Sequence, residues 1–389
     1  MYSEDDINSA VAAGALSAEA AESFRAHMTR VRELPRGSEE NFRLINSFND
    51  IFVSIGIVIL LLAVGAIGQA LAAMFVPAEA WLETIPSRMS AAQLEARADA
   101  RNLKTALDLC LPGLLVAVTA WPLAEFFTRK RRMALPSILL LLAFVGGVFF
   151  AVLGAGFTII LNGSDRIGAV IAALAAFAGA GAAYLHWRRF MVPITVAAGA
   201  AGVAGTVIAL MLAAVGPGLI TPDILLVLVF IAGLAVFGFA MRWDISDRER
   251  ITRRSDVAFW LHLLAAPMIA HPIFALLGVT EGDNLGVGAA VGVLGVYIAF
   301  GLLALAIDRR ALLVSALAYV LFALTFLFRE FGAVELNFAL TALVIGSALL
   351  SLSAFWQPIR RSVVAALPGN VQASLPATED PALSMAASA

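Results

Sequence analysis

Cysteine, histidine and net charge are all scarce in this sequence, and each scarcity excludes a class of protein. Cys110 is the only cysteine, so the chain cannot form an internal disulfide framework or a cysteine-cluster metal site. There are 4 histidines, and 26 basic residues against 28 acidic ones give a formal net charge of −2. No global electrostatic field therefore favours nucleic acid as a partner. We predict no nucleic-acid binding, no metal site and no cofactor.

Catalytic motifs are also missing. The sequence contains no phosphate-binding loop, no HExxH, no GxSxG and no cluster of carboxylates suited to general acid and base roles. No residue argues for an enzyme, and we predict no catalytic residue.

Apolar residues are what the chain has in abundance. They make up 61% of its 389 residues, well above the roughly 45 to 50% of soluble domains. A helix needs about 20 apolar residues to cross the hydrocarbon layer, because every backbone polar group there must bond within its own segment. The sequence predicts an all-α, polytopic transmembrane helix bundle of about ten spans. They lie at about 51–74, 106–127, 136–161, 167–185, 191–215, 223–241, 257–279, 286–307, 311–328 and 336–356.

The distribution of basic residues predicts the orientation of these spans. Connections on the side of both termini carry 20 Lys and Arg residues, and those on the opposite side carry 6. Basic residues stay preferentially on the cytoplasmic side during insertion. Five of the 6 tryptophans, which prefer the membrane interface, lie at or near the same ends. We predict that the N- and C-termini are cytoplasmic.

The chain divides into three parts. Residues 1–50 are predicted to form a cytoplasmic helical hairpin followed by an interfacial helix, with Ser3 and Asp6 in a capping pattern, a stop at Gly14 and a cap at Ser17. The transmembrane bundle occupies residues 51–357. The remainder, 358–389, is a cytoplasmic tail rich in Ala, Ser and Pro, and we predict that it is disordered.

The longest outer connection, 78–105, is predicted to be partly helical. Ser90 and Gln93 repeat the capping pattern ahead of an apolar periodicity, and this helix is expected to continue into the second span.

Ionisable residues inside spans are costly and therefore candidates for function. Asp108 lies about one turn inside the second span, where Lys104 at i−4 offers a structural alternative. His262 and His271 lie in the seventh span, nine residues apart and so on opposite faces, which excludes a shared metal. Either histidine could equally be a hydrogen-bonded packing residue.

Proline is the second unusual feature of these two spans. The second span contains Pro112 and Pro122, and the seventh contains Pro267 and Pro272. Because proline removes a backbone hydrogen bond, it lets a spanning helix break where a cavity forms. If the ten spans are two halves of five, these helices correspond, and the halves are inverted as in many secondary transporters. The candidate pathway or binding residues are Asp108, Pro112, His262, Pro267, His271 and Pro272.

The segment INSAVAAGALSAEAAESFRAHM, residues 7–28, precedes this long run of spans. That order resembles a family of bacterial membrane proteins catalogued as domain of unknown function 2157, in which a short hairpin precedes the spans. The resemblance implies a bacterial inner-membrane location and no assigned activity, and it carries no functional residues across.

Two functions remain open for an integral membrane protein of this kind. The first, which the sequence slightly favours, is a transporter or permease of a small solute. The second is a non-catalytic scaffold or regulator that recruits a cytosolic partner through residues 1–34. A transporter predicts that Asp108 or His271 and the prolines face a shared cavity near the midplane, whereas a scaffold predicts a solid core there. The lipid bilayer is a partner in both cases.

Overall fold

The computed structural model describes residues 4–33, 48–76, 90–158, 165–248, 250, 252–278, 286–330 and 337–376. Within these residues the chain is helical and contains no strand. The α-helices are α1 (Glu4–Ala12), α2 (Ala18–Glu33), α3 (Phe48–Phe75), α4 (Ala91–Ala124), α5 (Ala134–Phe157), α6 (Asp165–Phe190), α7 (Ile194–Val215), α8 (Pro222–Ile245), α9 (Arg253–Leu276), α10 (Val287–Ile307), α11 (Ala311–Glu330), α12 (Asn337–Ala354), α13 (Trp356–Ala365) and α14 (Gly369–Gln372). A π-helical segment, Glu125–Lys130, extends α4, and a short 3₁₀ turn, Pro217–Leu219, follows α7.

Helices α3 to α10 are each long and apolar enough to cross a membrane, which makes eight spans among the described residues. A ninth is possible if α12 and α13, which are bent by 74° at Phe355, count as one broken span. Helix α11 contains a shorter apolar stretch, Leu312–Phe328. These helices confirm an all-α polytopic bundle and an integral membrane protein. The exact number of ten spans stays a prediction.

Local sequence signals place several helix ends. Ser90 and Gln93 form a reciprocal capping box at the start of α4, as the sequence predicts. With its π segment, this helix runs over 40 residues, or roughly 60 Å, about twice the hydrocarbon thickness. It therefore extends well outside the membrane, as expected for the connection 78–105.

At the N-terminus, Gly14 lies between α1 and α2 with a φ of +72°, and the Ser17 hydroxyl accepts a hydrogen bond from the Ala20 N–H. Both features match the expected stop and cap. The predicted Ser3 cap and residues 34–47 of the predicted interfacial stretch lie outside the described residues, whereas residues 48–50 belong to α3.

The membrane helices are arranged as successive antiparallel hairpins. The most extensive contacts are within the pairs α4 with α5, α6 with α7, and α8 with α9, and α10 pairs with α11. Each of these four hairpins turns through a non-glycine residue in the left-handed region, with φ between 54° and 56°. Such a residue lets the chain leave a helix abruptly, which keeps the turns short. The residues are Arg132, Met191, Arg250 and Asp308, and we call the end of the bundle that they occupy the basic end.

Glycines allow the first hairpins to approach at backbone distance. A methyl group added to Gly147 of α5 would lie 2.6 Å from the Gly113 carbonyl oxygen of α4. One added to Gly154 would lie 2.6 Å from the Ala106 carbonyl oxygen. Lipid gives no hydrophobic driving force between helices, so close packing of this kind is what holds them together.

Helix α9 is the most buried of the eight spans and packs on α7, α8 and α11. Its small residues Ala265, Ala266 and Ala270 are fully buried, as are the larger Leu261 and Phe274. The interior around α9 is therefore tightly packed along most of its length.

The C-terminal residues correct one expectation. The composition predicts a disordered tail at 358–389, but the structure continues through α13 and α14 to Pro376. The reason is that Leu375 is buried and the carbonyl groups of Leu375 and Pro376 accept hydrogen bonds from arginines of the bundle. Residues 377–389 lie outside the described part.

Candidate functional site

The most unusual feature of the molecule is a group of buried and partly buried charged side chains at the basic end. We call it the charge cluster. It combines the end of α8, the α8 to α9 connection, the first half of α9, the α10 to α11 turn, and helix α13. Its members are Asp244, Asp247, Arg250, His262, Asp308, Arg309, Trp356 and Arg360.

Asp244 is the first centre of this cluster. Its Oδ1 accepts a hydrogen bond of 2.6 Å from Arg309 Nη2, and its Oδ2 lies 2.9 Å from His262 Nε2. All three side chains are at most 3% exposed. Because an ionised carboxylate only accepts, His262 Nε2 carries the proton in this contact.

The second ring nitrogen of His262 has no such partner. Nδ1 is buried, and no described residue makes a hydrogen bond to it. The ring packs edge-on against Phe237 at 5.1 Å between centroids. His262 is nine residues beyond the start of α9, which places it about 13 Å along the helix from the basic end. It is thus the deepest titratable member of the cluster.

Asp308 is the second centre. Arg250 Nη1 donates to its Oδ2 at 2.8 Å, and Trp356 Nε1 donates to its Oδ1 at 2.7 Å. Arg360 Nε lies 3.7 Å from the same Oδ1. Arg250 Nη2 also donates to the carbonyl oxygens of Ile307 and Asp308, at 3.1 Å each. The guanidinium therefore satisfies the end of α10 as well as the carboxylate.

Asp247 links the α8 to α9 connection to the start of α9. Its Oδ2 accepts from the Thr252 N–H at 3.0 Å, from the Thr252 hydroxyl at 2.7 Å and from the Ser255 N–H at 3.3 Å. A carboxylate at this place satisfies the free N–H groups of a helix start and complements its dipole. Arg309 Nη2 donates to the Ser255 carbonyl oxygen at 3.1 Å, which joins this corner to Asp244.

The C-terminal segment, residues 368–376, supplies backbone hydrogen-bond acceptors to arginines at the cluster. Arg360, which is fully buried, donates from Nη2 to the Pro376 carbonyl oxygen at 2.7 Å. Arg248 Nε donates to the Leu375 carbonyl oxygen at 2.9 Å. The last described residues are therefore fastened to the α8 to α9 connection and to α13.

Charge balance explains how such a cluster can be buried. Three carboxylates, from Asp244, Asp247 and Asp308, oppose three guanidiniums, from Arg250, Arg309 and Arg360. Burial lowers the pKa of Arg250 from its ordinary value, and Arg309 acts in the same direction while Asp308 opposes it. Removing one partner of a buried pair typically costs about 3–5 kcal/mol, because an uncompensated charge is left behind. The loss of any one of these charged groups is therefore expected to destabilise the cluster.

The structure places the residues predicted from the second span at two separate contacts. Lys104 Nζ lies 2.6 Å from Asp108 Oδ2, and the Asp108 side chain is 31% exposed, so the structural alternative describes it. Pro112 packs against Gly68 of α3, where an added methyl group would come within 2.6 Å of the Pro112 Cα. Neither residue contacts the charge cluster.

The residues predicted from the seventh span are also dispersed. His271 is exposed on the surface of the bundle, and its Nδ1 lies 2.6 Å from the Tyr319 hydroxyl of α11. Pro267 is exposed, whereas Pro272 is buried. Helix α4 packs on α3 and α5, while α9 packs on α7, α8 and α11, so the two helices share no packed face. Of the six candidates, only His262 belongs to the charge cluster.

A smaller polar site lies at the basic end of α4 and α6. Glu125 accepts from Arg189 Nε at 2.5 Å and from Arg129 Nη1 at 3.3 Å. The contact with Arg129 is an i,i+4 pair within one helical segment, whereas the contact with Arg189 joins that segment to α6. All three side chains reach solvent. This site is a surface ion pair.

Most of the charge cluster does not stand out in the sequence, because its arginines look like other basic residues of the connections between spans. The available signal was the position of the acids. Asp244 and Asp308 interrupt the predicted cytoplasmic connections, and each stands at the end of an apolar run. In the structure both acids bind arginines of the charge cluster.

Comparisons with protein-family models, with curated proteins and with solved structures gave no match. The resemblance of residues 7–28 to domain of unknown function 2157 therefore stays a prediction. Among the described residues, no group of three or more His, Cys, Asp or Glu side chains is arranged to hold a metal ion.

Proposed function

We propose that this membrane protein is a non-catalytic scaffold or regulator of the bacterial inner membrane, with both termini in the cytoplasm. The observation that carries the proposal is the charge cluster, which ties the C-terminal segment to the ends of α8, α9 and α10 above a closely packed interior. A fixed platform of this kind suits a protein that presents surfaces rather than one that opens a pathway.

Energetics support a fixed platform. Separating α8 from α9 at the basic end would pull Asp244 from His262, and moving the α10 to α11 turn would pull it from Arg309. Each movement removes one of the two partners of the buried Asp244 carboxylate, and breaking its buried ion pair with Arg309 costs about 3–5 kcal/mol. Alternating access based on this end would need new partners for the same groups.

The N-terminal helices supply the surface for a cytosolic partner. Helices α1 and α2 pack on each other, and among the described residues neither makes an extended contact with α3 to α13. Phe24 remains exposed on α2. We therefore place the partner on residues 1–34, where docking would not disturb the bundle.

A small-solute transporter is the second candidate, and one observation favours it. His262 is an ionisable residue inside a span, next to Asp244, with a buried Nδ1 that has no partner among the described residues. Acid and histidine pairs of this kind occur in the proton relays of membrane transporters. In a transporter, water must reach Nδ1 during the cycle.

Water access to α9 separates the two functions. In a Cys110→Ala background, we would introduce single cysteines at Asp108, His262 and Ala270, and label reconstituted protein with a membrane-impermeant thiol reagent. Asp108→Cys is the positive control because its side chain is partly exposed outside the core. A scaffold predicts labelling at 108 and complete protection at 270, which is fully buried.

His262→Cys removes a cluster member, so its labelling is interpreted only if the thermal unfolding midpoint stays near that of the parent. Labelling at both 262 and 270 from one side of the membrane would overturn the scaffold and establish a wet pathway along α9. Positions 112, 267 and 271 complete the scan, and α9's exposed face at 267 and 271 should be protected by lipid.

A further inference from the structure

Exposed bases and exposed apolar residues meet at the basic end of α4 and α6. We call the bases the basic patch, and they are Arg129, Lys130, Arg131, Arg132, Arg188 and Arg189. We propose that the basic patch binds the headgroup of an anionic phospholipid whose acyl chains lie along the exposed faces of α4 and α6. This proposal does not depend on the choice between scaffold and transporter.

Charge is the first observation behind this proposal. All six side chains are exposed, and in the described part of the chain the one carboxylate that contacts them is Glu125, which already pairs with Arg129 and Arg189. The other four bases have no carboxylate partner among the described residues. The patch thus differs from the charge cluster, where acids and bases balance. An excess of exposed positive charge at a membrane surface attracts anionic lipid.

Aromatic contacts are the second observation. The Arg131 guanidinium lies 5.6 Å from the ring centroid of Phe126, and that of Arg188 lies 5.8 Å from the ring centroid of Tyr184. Arg188 Nη1 also donates to the Tyr184 hydroxyl at 2.9 Å. Each contact holds a guanidinium next to its own helix. The cations are therefore positioned at the boundary between apolar and polar surface without being neutralised.

Apolar stripes are the third observation, because they lead from the hydrocarbon region to these two contacts. On α4, exposed residues recur every four positions and end at Phe126. On α6, exposed residues recur every three or four positions and end at Arg188. Residues at these spacings share one helix face. The stripe on α4 and its π-helical extension is Leu114, Val118, Pro122 and Phe126, and the stripe on α6 is Leu174, Phe177, Gly181 and Tyr184, next to Arg188.

A phospholipid matches all three observations, since its phosphate carries negative charge and its chains are apolar. Zwitterionic lipid offers the same chains without net charge. A free phosphate offers the charge without the chains. The proposal thus predicts selectivity for phosphatidylglycerol over phosphatidylcholine of the same chain length.

The test is native mass spectrometry of the full chain in detergent with equal amounts of the two lipids. We expect the protein to retain phosphatidylglycerol preferentially, and the triple variant Arg131→Gln, Arg132→Gln, Arg188→Gln to lose that preference. One basic residue near an anionic surface contributes about fivefold to binding, so the expected loss is on the order of a hundredfold.

The matched control is the triple variant Arg242→Gln, Arg253→Gln, Arg361→Gln. It removes the same charge from the same end, and these side chains are equally exposed. It should keep the preference. An equal loss of preference in the control would show general electrostatic attraction to this end of the bundle and no local site. The absence of any preference in the parent protein would overturn the proposal. Displacement of the lipid by inorganic phosphate at constant ionic strength would contradict the contribution of the chains. Unchanged thermal unfolding midpoints exclude misfolding of either variant.

Discussion

The helices α3 to α7 and the helices α8 to α13 are held together by different means. In the first group, Gly147 and Gly154 bring α5 against α4 at backbone distance, and the ion pair of Glu125 with Arg189 lies at the surface. In the second group, Asp244 and Asp308 bind arginines in a buried cluster at the basic end. In the first region, close packing depends on glycines, which have no side chain to keep the helices apart. In the second region, packing depends on every buried charge keeping its partner. The difference predicts where each region is vulnerable.

The largest effect is expected at Asp244. Asp244→Asn keeps the shape of the side chain but removes the carboxylate charge that Arg309 contacts, and we expect destabilisation by about 3–5 kcal/mol. Thermal unfolding in detergent, followed by loss of monodisperse protein, measures the effect. The control is Asp223→Asn, an exposed acid in the first turn of the same helix. If both variants unfold alike, the cluster does not hold the second region together.

Removal of the C-terminal segment should have the next largest effect. A chain ending at Leu367 lacks the carbonyl groups that bind Arg248 and Arg360, and a buried charged donor without its acceptor costs about 3 kcal/mol. A chain ending at Pro376 retains both contacts and is the matched control. We expect the shorter chain to unfold at lower temperature and the longer one to match the parent. Equal unfolding temperatures for both would show that the segment is not fastened to the cluster.

Two adjacent glycines test the first region. Gly147→Ala places a methyl group 2.6 Å from the Gly113 carbonyl oxygen, whereas a methyl group on Gly146 has nothing within 4 Å. Overpacking of this kind costs about 1–3 kcal/mol. Gly146→Ala should be neutral or slightly stabilising, because alanine favours helix by up to about 1 kcal/mol. The measurement is the thermal unfolding midpoint of each variant. Equal midpoints would mean that α4 and α5 do not approach at backbone distance at Gly147.

The smallest effect is expected at Arg189. Its ion pair with Glu125 is open to water, where screening and side-chain entropy offset the attraction. Arg189→Gln should leave the unfolding midpoint unchanged within error, and Arg309→Gln, the buried counterpart, should lower it clearly. A large loss for Arg189→Gln would remove the distinction between the two regions.

Local signals in the sequence predicted much of the fold. The capping box at Ser90, the stop at Gly14 and the positions of the apolar helices follow from spacing and composition alone. The same logic failed for the C-terminal tail, whose order depends on acceptors for Arg248 and Arg360. Composition alone cannot reveal that arginines elsewhere in the chain donate hydrogen bonds to the carbonyl groups of this segment.

The candidate site was predicted only at one residue. His262 was singled out as an ionisable residue within a span, but its partner Asp244 was not. Asp308 and Arg250 are separated by 58 positions in the sequence, and Arg309 and Asp244 by 65. Without homologues, nothing in one sequence links such positions.

The sequence by itself determined that this protein is a helical membrane protein, because the apolar length of its segments leaves a spanning helix as the favourable state for the backbone. The backbone hydrogen bonds of a helix are made within its own segment, so a spanning helix can be recognised from a single stretch of sequence. Only the tertiary structure decided which charges are buried together. Ion pairing depends on distance in space, and the short left-handed turns at Arg250 and Asp308 bring those two residues together from separate hairpins.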